Sequence, residues 1–225
     1  MTTSRRRPMS PLASILAGQM PRAQPSRVTP ARPPGSTILP LRIELAGSDP
    51  LIWRRVLVPD TVTLGTVHNV IQAVFIWDNS HMHGFRTVGQ GRRWLGGEDD
   101  DSGEDEDDIL LVDVIGERTK SIDYVYDFGD SWEHRVKVER RRKADPGLSL
   151  PVCVEGANAA PPDDCGGVWG YSERVAALRD PKHPDHAEVR GWFGKKWDAT
   201  AFDIDAANRR LKARVGSGAT AAAAS

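Results

Sequence analysis

The sequence predicts an α+β fold: a mainly antiparallel sheet with an early amphipathic helix and a helical C-terminal part packed on it. Segments with the two-residue alternation of strands come first along the chain, and segments with helical spacing come last. No βαβ alternation interrupts this order, so a parallel sheet is not expected. With 225 residues, 39% of them hydrophobic, the chain suits one folded domain with flanking tails.

Two strands and a helix are predicted at the start of the folded part. Apolar and polar residues alternate over 38–45 and again over 51–58, with turn signals at 48–50 between them. These two strands are therefore expected to form a hairpin. Apolar residues at helical spacing then run over 64–75, after Thr63 as the N-cap, which predicts one amphipathic helix covering a face of the sheet.

The strongest strand pair is predicted further along the chain. Aromatic and apolar residues alternate over 121–128 and over 132–140, and the turn residues 129–131 join the two runs. Weaker patterns upstream predict extended segments at 81–88 and 93–95 and a short helix at 109–115. The C-terminal part is predicted as a short strand at 152–154, an irregular loop at 156–170, and helices at 172–179, 185–191 and 205–215.

Charge and composition separate a folded part from its flanking and inserted segments. Residues 1–36 hold six arginines, seven prolines and no acidic residue, which predicts a disordered arm with a charge of +6. Residues 98–108 carry nine acids in eleven positions and are expected to form an extended, solvated loop. Residues 216–225 are small and uncharged and are expected to be a disordered tail. A single domain is therefore predicted over 37–215.

Composition also excludes several classes of protein. No run of about 18 apolar residues exists, so no membrane span is expected, and the Arg-rich start lacks the apolar stretch of a secretory signal. A cytoplasmic location is the resulting expectation. Cys153 and Cys165 are too few for a disulfide scaffold and lack the spacing of a zinc ribbon. Gly166-Gly167 is not a phosphate-binding loop, because the Lys-Ser/Thr pair of that motif is missing.

Three motifs carry a family resemblance that covers residues 38–212. They are SHMHGF at 80–85, YVYDFGDSWEH at 124–134, and PPDDCGG at 161–167 followed by Gly170-Tyr171. Together they resemble the Ri-plasmid ORF-three-like family, which includes passenger proteins of bacterial insertion elements often labelled TnpR. The resemblance implies an α+β fold, an association with plasmids or transposable elements, and no established activity. The label suggests a resolvase, but no serine-recombinase pattern is visible, so that function is not transferred.

Candidate chemistry lies in the same motifs. His81 and His83, two apart on an expected strand, place both imidazoles on one face and can offer two nitrogens to one metal ion. Asp127 and Asp130 flank the hairpin turn near His134, and carboxylates beside an imidazole can ligate a metal or act as acid and base. Each of these side chains also has an ordinary structural explanation, as a turn residue or as a partner of loop carbonyls.

Cys165 and Asp163 lie in the Pro/Gly-rich loop, where fixed backbone could hold the thiol near the hairpin. A thiolate with a nearby imidazole can bind zinc or act as a nucleophile, whereas a buried free cysteine commonly serves as a small apolar side chain. The candidate cleft consists of His81, His83, Asp127, Asp130, Trp132, His134, Asp163 and Cys165. The candidate ligands of a divalent metal such as zinc are His81, His83, His134 and Cys165.

Two functions remain open from the sequence. The favoured one is a non-catalytic binding module, an accessory factor of a plasmid or mobile element that holds a protein or nucleic-acid partner. The arm residues Arg5, Arg6 and Arg7 would add salt-dependent attraction to phosphate or to an acidic partner. The alternative is a metal-dependent hydrolase or nuclease that uses the His/Asp/Cys site. Two basic clusters, 140–143 and 209–214, could also meet phosphate, although solvated charge runs are the ordinary interpretation.

Overall fold

The computed structural model describes residues 37–88, 93–95, 104–115, 120–145 and 147–215. The predictions for the arm 1–36, for the tail 216–225 and for 98–103 of the acidic loop lie outside these residues. The strands are β1 (Thr37–Leu45), β2 (Trp53–Pro59), β3 (His83–Thr87), β4 (Trp94–Leu95), β5 (Ser121–Tyr126), β6 (Trp132–Val138), β7 (Arg142–Lys143) and β8 (Val152–Ala157). The helices are α1 (Leu64–Phe75), α2 (Leu111–Val114), α3 (Gly167–Arg179), α4 (His186–Phe193) and α5 (Ile204–Val215).

The strands form one antiparallel sheet in the order β4-β3-β5-β6-β1-β2-β8, and β7 pairs with the start of β1. The predicted α+β class with a mainly antiparallel sheet is confirmed. Both predicted hairpins are present, as β1 with β2 and β5 with β6. None of the described helices is long and apolar enough to cross a membrane.

Two predicted boundaries are clearly wrong, and one strand was not predicted. Strand β8 continues to Ala157, because it pairs with β2 through a bulge between Arg55 and Val56 that the alternation of residues does not reveal. Helix α3 begins at Gly167, inside the stretch predicted as an irregular loop, because glycine-rich sequence gives no helical signal. Strand β7 was not predicted, since two charged residues carry no alternation.

Helix α1 forms where the sequence predicts it. The Thr63 side chain accepts a hydrogen bond from the Thr66 N–H at 3.2 Å, as expected of an N-cap. The helix ends at Ile76, which has the left-handed φ of 68°. Its inner side meets the sheet through Gln72 and His68, whose side chains both contact the hydroxyl of Tyr124 on β5. The helix therefore lies across the β5 side chains.

Helix α5 supports the end of α1 with two arginines from a predicted basic cluster. Arg210 Nε donates to the Ala73 carbonyl at 2.8 Å, and Arg214 Nη1 donates to the Trp77 carbonyl at 2.8 Å. Cationic side chains at a helix C-terminus satisfy free carbonyls and favour the helix dipole. The expectation of a fully solvated charge run is therefore wrong for these two residues.

A buried arginine joins α1 to the loop that follows β8. Arg54 is 1% exposed, and its guanidinium donates to the carbonyls of Val74, Ala157 and Asn158 at 3.1, 2.8 and 2.9 Å. Burial lowers the pKa of Arg54 to about 10. Because a buried cation needs its donors satisfied, this residue fixes where the 158–166 loop leaves the sheet.

One residue in the described end of the acidic loop, Glu106, packs against helix α1, whereas the other four acids at 104–108 are exposed. The Glu106 carbonyl accepts from the Gly65 N–H at 3.1 Å, in the first turn of α1. The Glu106 carboxylate lies 3.0 Å from His83 Nε2. The prediction of a wholly solvated loop is therefore wrong at Glu106, because the loop supplies an acceptor to a helix N-terminus that has no acidic residue of its own.

Candidate metal centre

Three loops meet at one end of the sheet, and each corresponds to one of the three sequence motifs. They are the segment between α1 and β3 (76–82), the turn between β5 and β6 (127–131), and the loop between β8 and α3 (158–166). Their side chains bring one histidine together with several carboxylates. The positions of these side chains follow from local backbone contacts.

The hairpin turn orients Asp127. Its backbone has a left-handed φ of 55°, a conformation that aspartate tolerates better than most residues. Its Oδ1 accepts hydrogen bonds from the N–H groups of Gly129 and Asp130 at 2.9 and 3.3 Å. The turn role predicted for Asp127 is therefore present. The second oxygen, Oδ2, remains available and lies 3.8 Å from His81 Nδ1.

His81 lies beside the β5–β6 turn because the next residue, Met82, is hydrogen-bonded to that turn. The Met82 carbonyl accepts from the Asp127 N–H at 2.9 Å, which extends the β3–β5 ladder by one pair. The preceding residues are held by the end of α1, where Gln72 Oε1 accepts from the Asn79 N–H at 2.9 Å. The imidazole edge packs against the Tyr126 ring, with centroids 5.8 Å apart. His81 is thus placed before β3 and not within it.

The 158–166 loop is fixed at both ends. Trp77 Nε1 donates to the Pro161 carbonyl at 3.0 Å, and the Asp130 carboxylate accepts from the Gly166 N–H at 2.9 Å. Arg174 Nη1 donates to the Cys165 carbonyl at 2.6 Å, which ties the loop to α3. The Pro/Gly-rich loop is therefore held against the hairpin, as the sequence suggested.

His81, Asp127 and Asp164 form a group that can hold a metal ion. One ligand atom from each lies within 4.8 Å of the others, and His81 Nε2 is 3.4 Å from Asp164 Oδ1. Ligands at about 2.1 Å from one ion lie up to about 4.2 Å apart, so small side-chain movements would bring all three to bonding distance. The Asp164 side chain is 76% exposed, so the group opens to solvent.

Asp163 lies beside this group and is affected by its charge. Burial raises the pKa of Asp163 to about 6, and the nearby carboxylates of Asp78, Asp164 and Asp127 act in the same direction. Its Oδ1 is buried without a hydrogen-bond partner among the described residues. A cation at this position would relieve the repulsion between these carboxylates.

Tyr126 supplies a second buried polar atom next to the group. The residue is fully buried, and its hydroxyl makes no hydrogen bond of regular geometry to the described residues, although it lies beside Ser80. Burial raises the pKa of Tyr126, and the charge of Asp163 acts in the same direction. A buried hydroxyl with no well-aligned partner, beside a carboxylate and an imidazole, indicates a place for a bound water or ligand.

The structure does not assemble the metal site predicted from the sequence. His81 and His83 do not share a face: His83 stacks on His68 with ring centroids 3.6 Å apart and pairs with Glu106. Because β3 begins at His83 and His81 precedes it, the strand periodicity assumed for both does not apply.

His134 and Cys165 also have structural surroundings. His134 is 1% exposed, and its Nδ1 donates to the Trp132 carbonyl at 3.0 Å. Burial lowers the pKa of His134 to about 3, so the imidazole is neutral. Cys165 is fully buried, and burial raises the pKa of its thiol to about 12. Trp132 is buried against Trp77.

Of the eight residues of the predicted cleft, the structure therefore brings His81, Asp127 and Asp163 to one place. Asp130 stands at its edge as the anchor of the loop. Sequence reasoning missed Asp164, which carries no signal that separates it from Asp163 beside it. It also missed His68, a buried neutral imidazole whose spacing in α1 is that of a core residue.

Known proteins are similar to this chain in sequence and in fold. The chain is 38% identical over 181 residues to "Uncharacterized protein y4hQ" of Sinorhizobium fredii (strain NBRC 101917 / NGR234), an alignment that covers 78% of this chain and 91% of the relative. Its fold is similar to the crystal structure of a protein of unknown function, MM3350 from Methanosarcina mazei Go1, with a TM-score of 0.71 and 34% identity. That similarity covers 76% of this chain and 97% of the other.

The family described as "Plasmid pRiA4b ORF-3-like protein" matches residues 37–206, which is most of the chain. The resemblance found in the three motifs is thereby confirmed. The chain belongs to the plasmid pRiA4b ORF-3-like protein family.

Proposed function

We propose that this protein is an accessory binding module that holds a divalent cation through His81, Asp127 and Asp164. The observation that carries the proposal is the convergence of three ligand atoms, from three separate loops, within 4.8 Å of one another. The buried hydroxyl of Tyr126 and the Oδ1 of Asp163 support it independently, because both polar atoms lie at the same end of the sheet without a hydrogen bond of regular geometry to the described residues.

The donor set favours a particular class of ion. Carboxylates suit manganese and magnesium, and an imidazole adds affinity for manganese, zinc or iron over magnesium and calcium. The exposed Asp164 side chain leaves coordination positions open toward solvent. A cation with open positions can bind an oxygen of a partner molecule directly. This is how the module would hold a phosphate or carboxylate group of its partner.

The surroundings of Cys165 favour a non-catalytic role, because they do not activate its thiol as a nucleophile. The Cys165 thiol is buried with a raised pKa, so it remains protonated near neutral pH. No activated nucleophile therefore accompanies the three ligands among the candidate residues.

The test is calorimetric titration of the full chain with Mn²⁺ and with Zn²⁺. We expect about one ion per chain, and we expect His81→Ala, Asp127→Asn and Asp164→Asn each to weaken binding by about tenfold or more, equivalent to about 1.4 kcal/mol. The matched control is His183→Ala, which removes an exposed imidazole 3.9 Å from the Asp185 carboxylate. Unchanged affinity in folded ligand variants, or absence of binding by the wild-type chain, would contradict the proposal.

The same titration separates the two ligand sets. Cys165→Ala removes a residue that the sequence suggested as a ligand and that the geometry places in the core. It is expected to keep the wild-type affinity for both ions. A loss of affinity as large as that of Asp127→Asn would favour the His/Cys set.

Hydrolysis is a second candidate, and Asp163 is the observation in its favour. A carboxylate with a free oxygen beside a metal ion can accept a proton from a metal-bound water. Asp163→Asn would then abolish turnover of a phosphodiester substrate in the presence of Mn²⁺ while keeping the affinity for the ion. If the wild-type chain loaded with metal shows no turnover, hydrolysis is excluded and the binding role is the remaining candidate.

A further inference from the structure

The basic segment Arg140–Lys143 is the charged surface that the cation site does not explain. All four of its side chains are exposed, and its last two residues form β7, which pairs with Ile38 and Thr37 at the start of β1. The ladder fixes the backbone of these two residues. The segment is thus a rigidly attached, solvent-facing run of four positive charges.

Apart from the buried Arg54, the other basic residues of the sheet pair with nearby acids. Arg42 and Lys137 both pair with Glu44, at 2.6 Å in each case. Arg55 pairs with Glu139 at 2.9 Å, and Arg135 forms a close ion pair with Asp123. In contrast, the side chains of the basic segment form no ion pair within the part of the chain that the structure describes. The surplus positive charge of this end of the sheet is therefore concentrated at Arg140–Lys143.

The shape of the segment favours an extended anion over a single phosphate. Along an extended backbone, neighbouring side chains point to opposite sides. In β7, Arg142 and Lys143 therefore point to opposite sides, so the charges of the segment do not all converge on one point. A molecule with many regularly spaced negative charges can contact several of them at once, whereas a single small anion would contact one or two.

We propose that Arg140–Lys143 binds the phosphodiester backbone of nucleic acid. Three of the four residues are arginines, whose planar guanidinium groups match phosphate oxygens in pairs. Residues 139–145 include no aromatic side chain on which a base could stack, so contact with the phosphates is the interaction that the segment itself supports. The inference stands on the charge and exposure of this segment and does not depend on the cation site.

An acidic polypeptide is the rival partner, and two features disfavour it. Residues 139–145 offer no large apolar side chain to anchor a peptide, although protein interfaces depend on such anchors. Duplex DNA also carries a charge about every 1.7 Å, against about 3.3 Å at best for an extended acidic peptide. Counterion release therefore favours nucleic acid on a surface of this kind.

The test is fluorescence anisotropy of the full chain with labelled duplex and single-stranded oligonucleotides across a series of salt concentrations. The variant Arg140→Gln/Arg141→Gln removes two charges outside the β7 ladder. We expect it to weaken binding by about tenfold near physiological salt and to lower the salt slope by about 1 to 2. The matched control, Lys195→Gln/Lys196→Gln, removes two exposed charges elsewhere and is expected to match the wild type.

Three results would overturn the proposal. Equal losses in the two double variants would indicate a general charge effect. A loss confined to Arg5→Gln/Arg6→Gln/Arg7→Gln would assign binding to the N-terminal arm. Displacement of the oligonucleotide by polyglutamate at an equal concentration of charge would identify an acidic polypeptide as the partner.

Discussion

The Asp130 carboxylate accepts a hydrogen bond from the Gly166 N–H at 2.9 Å, and this bond connects the β5–β6 turn to the loop that carries Asp164. The two residues are 36 positions apart in the sequence, so the contact joins two separate segments of the chain. Because Asp127 lies in the same turn, the bond also sets the distance between two of the three proposed ligands. The geometry of the candidate site therefore depends on a residue that does not itself ligate.

Asp130→Ala tests this relationship. The substitution leaves the Gly166 N–H without its acceptor, and we expect the free energy of unfolding to fall by about 1–2 kcal/mol, measured by urea denaturation. Cation affinity should fall with it, since Asp164 is no longer held. Asp145→Ala is the control, because it removes a comparable turn contact, to Gly147, away from the site. Equal behaviour of the two variants would contradict the anchoring role.

Gly167→Ala probes the close approach of α3 to the hairpin. Gly167 has a left-handed φ of 66°, and an added Cβ would lie 2.4 Å from the Asp130 carbonyl oxygen. Because both the conformation and the contact oppose a side chain, we expect a loss of about 1–3 kcal/mol in urea denaturation. Gly191→Ala, in α4 with nothing within 4 Å of the added atom, should be neutral or stabilising by up to about 1 kcal/mol. A neutral Gly167→Ala would contradict the packing described.

Acid sensitivity should arise from two buried imidazoles. Burial lowers the pKa of His68 and of His134 to about 3, whereas the unfolded chain protonates histidine near about 6.5. Between these values the unfolded state binds more protons, so stability is present above about pH 6.5 and is lost as the pH falls toward 3. The slope is up to about 1.4 kcal/mol per pH unit for each imidazole. Urea denaturation at several pH values checks it, and a flat profile between pH 5 and about 6.5 would contradict burial of the neutral forms.

Asn208 protects the exposed edge of the sheet at β8. Its side-chain amide accepts from the Cys153 N–H at 2.7 Å and donates to the Cys153 carbonyl at 2.9 Å. Asn208→Ala removes both bonds and should lower the free energy of unfolding by about 1–3 kcal/mol. Arg209→Ala on the same helix should stay within about 0.5 kcal/mol. Similar values for the two variants would show that the edge contact contributes little.

The fold was largely predictable because the local periodicity of apolar residues indicates most of its helices and strands. The N-cap at Thr63 and the alternation across the β5–β6 hairpin predict what the structure contains. The start of α3 was not predictable, because Gly167 is selected by contact with Asp130 and not by helical propensity. Strand β7 likewise depends on pairing with a distant partner, Thr37.

The candidate site was predictable only in part. The motifs identified the loops that meet, and His81, Asp127 and Asp163 were among the residues they suggested. Whether His81 or His83 faces the turn depends on where β3 begins, and that boundary is set by the ladder with β5. His134 and Cys165 were included in the predicted site because imidazoles and thiols are common metal ligands. Burial, however, keeps the His134 imidazole neutral and the Cys165 thiol protonated.

The most direct test of the cation site is anomalous diffraction from crystals of the full chain soaked in Mn²⁺. We expect a manganese peak at about 2.0–2.3 Å from a His81 nitrogen and from carboxylate oxygens of Asp127 and Asp164. The peak should disappear in Asp127→Asn crystals soaked in the same way. Absence of a peak between these residues in well-diffracting wild-type crystals, or a peak at His83 and Cys165 instead, would contradict it.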